Sequence, residues 1–251
     1  WAVWFRFRSN ASSDVGTVKL ILLPGMDGTG RLFERLLAVL PSEISPRVIS
    51  YESAPAQDYD SLCTFVSTLL PSLLQAREPF VLLGESFSGP IAVRVGALAP
   101  NCVGVVLVAS FVRCPMRVPR WATRMTGPLR YLSAPSAAAR TFLLNGDDDV
   151  TLANELSATL KRVPPAISAA RLAAVISVDA RDALTQLAVP VLDIRAERDR
   201  LVGARAAKDI ELYGDEVTTL EIDAPHMVLQ TSPVECARAI VRFIASLKST
   251  T

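Results

Sequence analysis

The sequence has little histidine and no paired cysteines. His226 is the only histidine, and the four cysteines are scattered without a C-x-x-C pair. A structural zinc site takes four cysteine or histidine ligands, so we expect no metal site. Scattered cysteines are typical of free thiols that fill the core in a reducing compartment, which favours a cytoplasmic location. The cysteines are Cys63, Cys102, Cys114 and Cys236.

An excess of charge of one sign and a long apolar run are also missing. Lys and Arg number 26 against 25 Asp and Glu, for a net charge of +1, so charge gives no general case for a nucleic acid partner. The best apolar stretch, Val103 to Val112, is far too short to span a membrane. Trp1 to Arg8 shows neither an initiator methionine nor the layout of a signal peptide, which leaves the true N-terminus open.

The sequence does contain short apolar runs that alternate with helical patterns. Its 251 residues suffice for one large α/β domain with a full core. Continuous apolar strands between helices are typical of a mostly parallel sheet that helices cover on both faces. The predicted strands are 18–23, 47–51, 80–83, 104–109, 189–195 and 217–222, and the predicted helices are 32–40, 62–73, 87–99 and 236–247.

One region interrupts this alternation. From 111 to about 182 the sequence shows no convincing strand, and six prolines punctuate helical patterns that fit 135–145, 149–162 and 165–178. An all-helical insert before strand 189–195 would lie as a cap over the carboxyl edge of the sheet, where open α/β sheets bind ligands. We therefore predict a core domain of residues 1–110 and 183–251 and a helical cap, or lid, of residues 111–182.

Ser86 lies in Gly84-Glu85-Ser86-Phe87-Ser88-Gly89, directly after predicted strand 80–83. A nucleophilic serine of this kind occupies a sharp strand-to-helix turn, and small residues must flank it two positions away on either side. Gly84 meets that requirement, and Ser88 stands where the G-x-S-x-G motif has its second glycine. The motif therefore predicts a nucleophile at Ser86, and the alternative is a loop whose serine only caps the next helix.

The order of three polar residues along the chain matches a serine hydrolase. Asp199 follows strand 189–195, and His226 follows strand 217–222 by a short loop. Ser, Asp, His is the chain order of hydrolases built on an α/β sheet. Because the chain has one histidine, the base of such a triad can only be His226. Asp199 would hold the imidazole in the correct tautomer and stabilise the imidazolium.

Three other acids compete with Asp199 for that role. Asp193 lies inside the strand and should point away from the rim of the sheet, and Glu197 comes two residues too early. Asp223 is too close to His226 along the chain for an easy approach of the two side chains. Asp199 is therefore the predicted acid.

The loop after the first strand, Pro24 to Gly30, contains three glycines. An oxyanion hole needs two backbone N–H groups aimed at developing negative charge. Phe87, which follows the nucleophile, is predicted to supply one, and Met26 in this loop the other. Asp27 is expected to orient the loop or cap the next helix. A dinucleotide site is disfavoured because G-x-x-G-x-G has the wrong spacing, and a P-loop because no Gly-Lys-Ser/Thr follows.

The predicted cap is rich in arginine and has no acid from Phe111 to Asn145. A solvated cap surface is the favoured interpretation, and attraction of an anionic substrate such as an acyl carrier is the other. Hydrophobic side chains of the same region are candidates for an acyl pocket, although they can equally form the core of the cap. The arginines are Arg113, Arg117, Arg120, Arg124, Arg130 and Arg140. The pocket candidates are Phe111, Leu129, Leu132, Phe142 and Met227.

Taken together, Leu23 to Gly30, the Ser86 turn, Asp199 and Pro225-His226 resemble the α/β-hydrolase superfamily, and its serine esterase and lipase-like members, over nearly the whole chain. The runs P-G-M-D-G-T-G and G-E-S-F-S-G are similar to bacterial esterases and to the hydrolase part of plastid ester-synthase-like acyltransferases. The departures are three: Pro-Gly replaces the usual His-Gly, a serine replaces the second glycine of the motif, and the N-terminal strands are abbreviated. Because none removes a catalytic group, the resemblance implies acyl transfer from an ester to water through an acyl-serine.

The expected function is that of a cofactor-independent serine carboxylesterase. It would act on a small-molecule ester with a short to medium acyl chain, with no nucleic acid partner and no integral membrane segment. An acyltransferase or thioesterase with the same triad is one alternative, and a non-catalytic ligand-binding protein of the same fold is another. Epoxide hydrolases and dehalogenases of this fold use an aspartate in place of Ser86, whereas hydroxynitrile lyases and carbon–carbon bond hydrolases keep the serine and stay open. The oligomeric state is left open.

Overall fold

A parallel sheet forms the centre of the fold. The computed structural model describes residues 18–115, 143–145 and 149–247. The strands in these ranges are β1 (Lys19–Leu23), β2 (Ser45–Val48), β3 (Phe80–Glu85), β4 (Cys102–Val108), β5 (Val191–Ala196) and β6 (Val217–Ile222). They pair in the order β2-β1-β3-β4-β5-β6, and every pairing is parallel. The predicted parallel α/β sheet is thereby confirmed.

Helices connect the strands and cover the sheet. They are α1 (Glu34–Leu37, after a 3₁₀ turn at Arg31–Phe33), α2 (Tyr59–Leu73), α3 (Gly89–Leu98), α4 (Val150–Arg162), α5 (Pro165–Ser177), α6 (Arg181–Thr185), α7 (Ala204–Tyr213), α8 (Val228–Thr231) and α9 (Pro233–Leu247). Within the described ranges, no helix combines the length and the apolar character that crossing a membrane requires.

Alternation along the strands divides the core between the two faces of the sheet. In β1, Ile21 faces the cluster that contains α2 and α3 residues, whereas Leu20 and Leu22 face the cluster that contains residues of α1 and α9. All three side chains are fully buried. Burial on both faces explains why β1 is apolar at consecutive positions from Leu20 to Leu23 rather than at alternate ones.

The second strand corrects the sequence prediction by a shift. It was expected at 47–51, but its pairing with β1 covers Ser45–Val48. Tyr51 is fully buried, yet its N–H donates to the Gly28 carbonyl at 2.7 Å, so the chain here follows a loop rather than the sheet. Ile49 and Tyr51 are therefore apolar because they are buried in the tertiary structure. In the sequence, a buried loop segment of this kind looks the same as a short buried strand.

The helical insert between β4 and β5 is confirmed. Helices α4 and α5 lie where helices were predicted at 149–162 and 165–178, and most of the predicted helix at 135–145 lies outside the described residues. The chain enters and leaves the insert side by side, because Arg113 and Asp179 form an antiparallel bridge and the Ala180 N–H donates to the Val112 carbonyl at 2.7 Å. The division into a core domain and a cap at 111–182 stays a prediction.

The carboxyl ends of the strands meet at one edge of the sheet. In the registers, Leu23 pairs with Gly84, Glu85 with Val108, and Ala196 with Ile222. Because the strands are parallel, the loops that leave them emerge next to one another. Those loops carry the glycine-rich segment, Ser86, Asp199 and His226.

Candidate active site

Ser86 occupies a strained turn between β3 and α3. Its φ is 47°, in the left-handed region that a non-glycine residue rarely adopts. The turn is a single 3₁₀ segment, Ser86–Ser88, and it leads directly into the helix. Ser110 fixes the turn by donating from its hydroxyl to the Ser86 carbonyl at 2.6 Å. The left-handed residue turns the chain sharply from the strand into the helix, and a sharp turn of this kind is what the sequence motif predicted.

Two glycines make room for this turn. A Cβ at Gly84 would lie 2.6 Å from the Ser88 carbonyl oxygen, closer than real side chains approach. A Cβ at Gly89 would collide with the Ser110 side chain. The position after Ser86 that must lack a side chain is therefore Gly89, one residue later than the second glycine of G-x-S-x-G. This explains why a serine can stand at position 88.

His226 lies between Ser86 and Asp199. Its Nε2 is 2.9 Å from the Ser86 Oγ, and its Nδ1 is 2.7 Å from the Asp199 Oδ2. The side chains of His226 and Asp199 are 6% and 5% exposed. The other carboxylate oxygen of Asp199 accepts the N–H groups of Leu201 and Val202, at 2.7 and 3.0 Å. This arrangement can carry a proton from the serine to the imidazole and hold the resulting cation beside a carboxylate.

The competing acids have other partners. Asp193 accepts from the Arg195 Nε at 2.6 Å, and Asp223 accepts from the Arg198 Nε at 2.6 Å. Glu197 is exposed. Burial raises the pKa of the Asp193 carboxyl, and the Arg195 guanidinium opposes that shift. Among the acids that were weighed from the sequence, Asp199 is the one in contact with the imidazole.

The glycine-rich loop lies against the Ser86 turn. Asp27 accepts from the Thr29 N–H at 2.9 Å and from the Thr29 hydroxyl at 2.6 Å, which is the loop-orienting role expected of it. Gly28 and Gly30 have φ values of 67° and 74°, so the loop requires their conformational freedom. Met26, in the same loop, is 37% exposed. Phe87, which follows Ser86, is buried, and its carbonyl accepts from the Tyr59 hydroxyl at 2.9 Å.

A hydrogen-bonded chain joins that loop to the turn. The Ser88 hydroxyl donates to the Pro24 carbonyl. Since a hydroxyl has one proton, the Tyr51 hydroxyl, 2.7 Å from the Ser88 Oγ, is the donor in the second bond. The serine that replaces the motif's second glycine thus connects the two segments that are expected to supply the oxyanion hole.

A model of the alpha/beta hydrolase family matches residues 20–239. That span includes all of the sheet but its first residue, the insert, and the three residues in hydrogen-bond contact. The chain belongs to the alpha/beta hydrolase family. No curated protein matches the chain in sequence.

Solved structures with the alpha/beta hydrolase fold cover nearly the whole chain at low identity. A lipase-esterase related protein from Clostridium acetobutylicum superposes with a TM-score of 0.78 at 17% identity, over 92% of this chain and 96% of that one. An esterase from Exiguobacterium antarcticum gives 0.74 at 16%, over 93% and 94%. An enol-lactonase from Burkholderia xenovorans gives 0.75 at 17%, over 94% of each chain. At these identities the likeness shows the fold.

Glu85, the residue before Ser86 in this alpha/beta hydrolase, has a buried carboxyl group. It was not among the residues predicted from the sequence. It accepts from the Gln230 Nε2 at 2.8 Å. Burial is the main cause that raises its pKa from 4.5 to about 7, with the nearby Asp27 carboxylate acting in the same direction and Gln230 and His226 opposing it. A charge within an apolar strand was the signal that could have found it.

We expect Glu85 to make the stability of the fold depend on pH. Between its ordinary pKa and about 7, the folded chain holds a proton that the unfolded chain releases, so the free energy of unfolding falls as pH rises through this interval. Glu85→Gln removes this pH dependence. The free energy of unfolding of the variant, minus that of the wild type, should therefore rise by roughly 3 kcal/mol from pH 4.5 to 7 and then level off. Urea unfolding from pH 4.5 to 8 measures it, with the exposed Glu34→Gln as control. Parallel curves for wild type and Glu85→Gln would contradict the assignment.

Several predicted site residues are not tested by this geometry. Leu129, Leu132 and Phe142 lie outside the described residues, as do Arg117, Arg120, Arg124, Arg130 and Arg140. Phe111 is buried among the residues on the α2 and α3 face, and Met227 packs with Leu144 and Leu152. Arg113 pairs with Asp209 through two bonds of 2.7 and 2.9 Å. The acyl pocket stays a prediction.

Proposed function

We propose that this chain is a serine carboxylesterase that hydrolyses small-molecule esters with short to medium acyl chains. The observation that carries the proposal is the continuous contact from the Ser86 Oγ through the His226 imidazole to the Asp199 carboxylate. A serine hydroxyl is a weak nucleophile until a base takes its proton, and His226 is the one side chain of this contact that can do so. Neighbours described as an esterase and an enol-lactonase support an ester carbonyl as the target.

The reaction follows from the proposed roles. His226 takes the proton from Ser86 while the serine oxygen bonds to the ester carbonyl carbon. The carbonyl oxygen becomes negative and accepts from the N–H groups of Met26 and Phe87. His226 then gives its proton to the departing alcohol as the carbon–oxygen bond breaks, leaving an acyl-serine. A water molecule, deprotonated by His226, attacks the acyl carbon. His226 returns that proton to the Ser86 oxygen as the acyl–oxygen bond breaks, which releases the carboxylic acid and the free serine.

Hydrolysis is favoured over transfer to another acceptor. The only support for an anionic acyl carrier was the arginine content of the cap. Of those arginines, Arg113 is the one within the described ranges, and its guanidinium is occupied by Asp209. A non-catalytic ligand-binding role is disfavoured because binding alone does not require a serine, an imidazole and a carboxylate in contact.

A panel of p-nitrophenyl esters from acetate to palmitate tests this function. We expect turnover that is fastest for short or medium chains, and covalent labelling by a fluorophosphonate that peptide mass spectrometry assigns to Ser86. Added 1-butanol measures acyl transfer, since butyl ester would form in preference to acid if an alcohol were the natural acceptor. Folded protein that is neither labelled nor active on any ester would overturn the proposal and leave a lyase or a binding role.

A further inference from the structure

Arg171 of α5 is buried against the glycine-rich loop. Its side chain is 2% exposed, and α5 carries no other charged residue. Its Nη1 donates to the Met26 carbonyl at 2.7 Å. Its Nε and Nη2 both donate to the Gln57 Oε1, at 2.9 and 2.7 Å. A residue of the insert is therefore bonded to the residue that is proposed to supply an oxyanion N–H.

Gln57 fixes the direction of this guanidinium. The Gln57 amide nitrogen faces two backbone carbonyls, those of Tyr51 and Ala54, at 3.3 and 3.4 Å. The amide oxygen is therefore turned toward Arg171. The guanidinium also lies over the Tyr51 ring, 5.8 Å from its centroid. Burial lowers the pKa of Arg171 and the nearby Asp27 carboxylate opposes that shift, while an arginine stays charged in proteins.

The glycines of the loop allow this close approach. A Cβ on Gly28 would overlap the Arg171 guanidinium. The conformation at Gly28, with φ of 67°, brings the backbone directly onto the charged group. An apolar residue in place of Arg171 would leave the Gln57 amide oxygen and the Met26 carbonyl without these donors.

The loop is held on both sides of one peptide group. Ser88, from the turn, donates to the Pro24 carbonyl, and Arg171, from the insert, donates to the Met26 carbonyl. The Met26 N–H lies between these two fixed carbonyls along the chain. Tyr51 contacts both donors, because its hydroxyl donates to the Ser88 Oγ and its ring packs against the Arg171 guanidinium. With both flanking carbonyls fixed, the direction of the Met26 N–H is set before substrate binds.

We propose that Arg171 is a positioning residue that aims the Met26 N–H at the developing oxyanion. This inference rests on the proposed ester hydrolysis. It acts through the backbone and does not require Arg171 to touch the substrate. Because the oxyanion exists in the transition state and not in the ground state, loss of Arg171 should lower kcat and leave KM nearly unchanged.

The test compares Arg171→Met and Arg171→Lys with Arg94→Met. Arg94 is the control, because it also donates to one side chain and one backbone carbonyl and lies 6.0 Å from a tyrosine ring, yet its side chain is 26% exposed and its bonds go to Asp60 and Asp179. We expect Arg171→Met to lower kcat roughly 10²-fold, similar to the loss of one oxyanion donor, with KM within about threefold. An alkyl trifluoromethyl ketone, which adds to the serine as a tetrahedral oxyanion, should lose affinity by the same factor. Arg171→Lys should lie between Arg171→Met and wild type, and Arg94→Met should match wild type.

Active-site titration separates positioning from folding. If the titrated Arg171 variants keep the wild-type kcat and ketone affinity, and only the active fraction or the melting temperature falls, the role is structural and the inference is wrong. If Arg171→Met does not fold, the same measurements on Arg171→Lys and Gln57→Leu test the inference. The lysine variant keeps a cation and the leucine variant keeps the guanidinium, and each weakens the hydrogen bond to the Met26 carbonyl. Wild-type protein that neither turns over esters nor binds the ketone would instead overturn the proposed function.

Discussion

Ser86→Ala is expected to lower kcat for ester hydrolysis on the order of 10⁶-fold while the protein stays folded. The Ser86 Oγ is the atom that contacts the His226 Nε2, at 2.9 Å, and alanine removes it without filling the site. What remains is substrate binding and the oxyanion N–H groups, which give slow residual hydrolysis at most. Steady-state kinetics on the best ester of the panel, with circular dichroism as the folding check, measures the effect.

The strain at Ser86 gives a second readout that activity alone does not provide. Alanine keeps the unfavourable φ of 47°, whereas Ser86→Gly relieves it. Both variants should be inactive, but the glycine variant should be more stable than the alanine variant by about 1 kcal/mol in urea unfolding. Arg77→Gly is the matched control, because Arg77 has a φ of 64° in an exposed loop, and it should gain stability with unchanged activity.

Two results would contradict these expectations for Ser86. Near-normal turnover by Ser86→Ala would mean that another group attacks the ester. Equal stability of the alanine and glycine variants would mean that the left-handed turn is not held under strain. The second result would leave the chemistry intact and remove the physical account of how the turn presents the serine.

The strands and the order of the site residues could be predicted because both are local in the sequence. Buried parallel strands are apolar along their length, as β1, β3 and β4 are, and parallel strands place their following loops at one edge. Ser86, Asp199 and His226 each follow a strand of the parallel sheet. Their contact then depends on the loops after β3, β5 and β6 converging at that edge, since β4 lies between β3 and β5. The chain order of the motif already indicated this convergence.

The residues around these three could not be predicted, because their partners are remote in the chain. Gln57 and Arg171 are 114 residues apart, and Arg171 and Met26 are 145 apart. Nothing local relates them, and a lone arginine in an apolar helix fits a solvent-facing position as readily. In the sequence, Ser88 is a departure from the motif. Its role becomes clear only from the structure, in which its hydroxyl donates to the Pro24 carbonyl. The sequence indicates which side chains react, while tertiary packing determines which side chains orient them.

Asp199→Asn is expected to lower kcat roughly 10⁴-fold with little loss of stability. The reason lies in how the carboxylate is held. One of its oxygens accepts the backbone N–H groups of Leu201 and Val202, and the other contacts the His226 Nδ1 at 2.7 Å. An asparagine keeps its oxygen toward the two backbone donors, because its amide N–H₂ cannot accept from them. The N–H₂ group then faces His226.

That orientation forces the imidazole into the wrong tautomer. With an amide donor opposite, the His226 Nδ1 must accept, so the proton moves to Nε2 and points at the Ser86 Oγ. An imidazole protonated at Nε2 cannot take the serine proton, and no carboxylate remains to stabilise the imidazolium. Glu197→Gln is the control, since Glu197 lies two residues earlier and is exposed, and it should stay within about twofold of wild type. A nearly wild-type Asp199→Asn together with an inactive Glu197→Gln would show that the acid has been assigned to the wrong residue, since the tautomer argument applies only to the carboxylate that contacts His226.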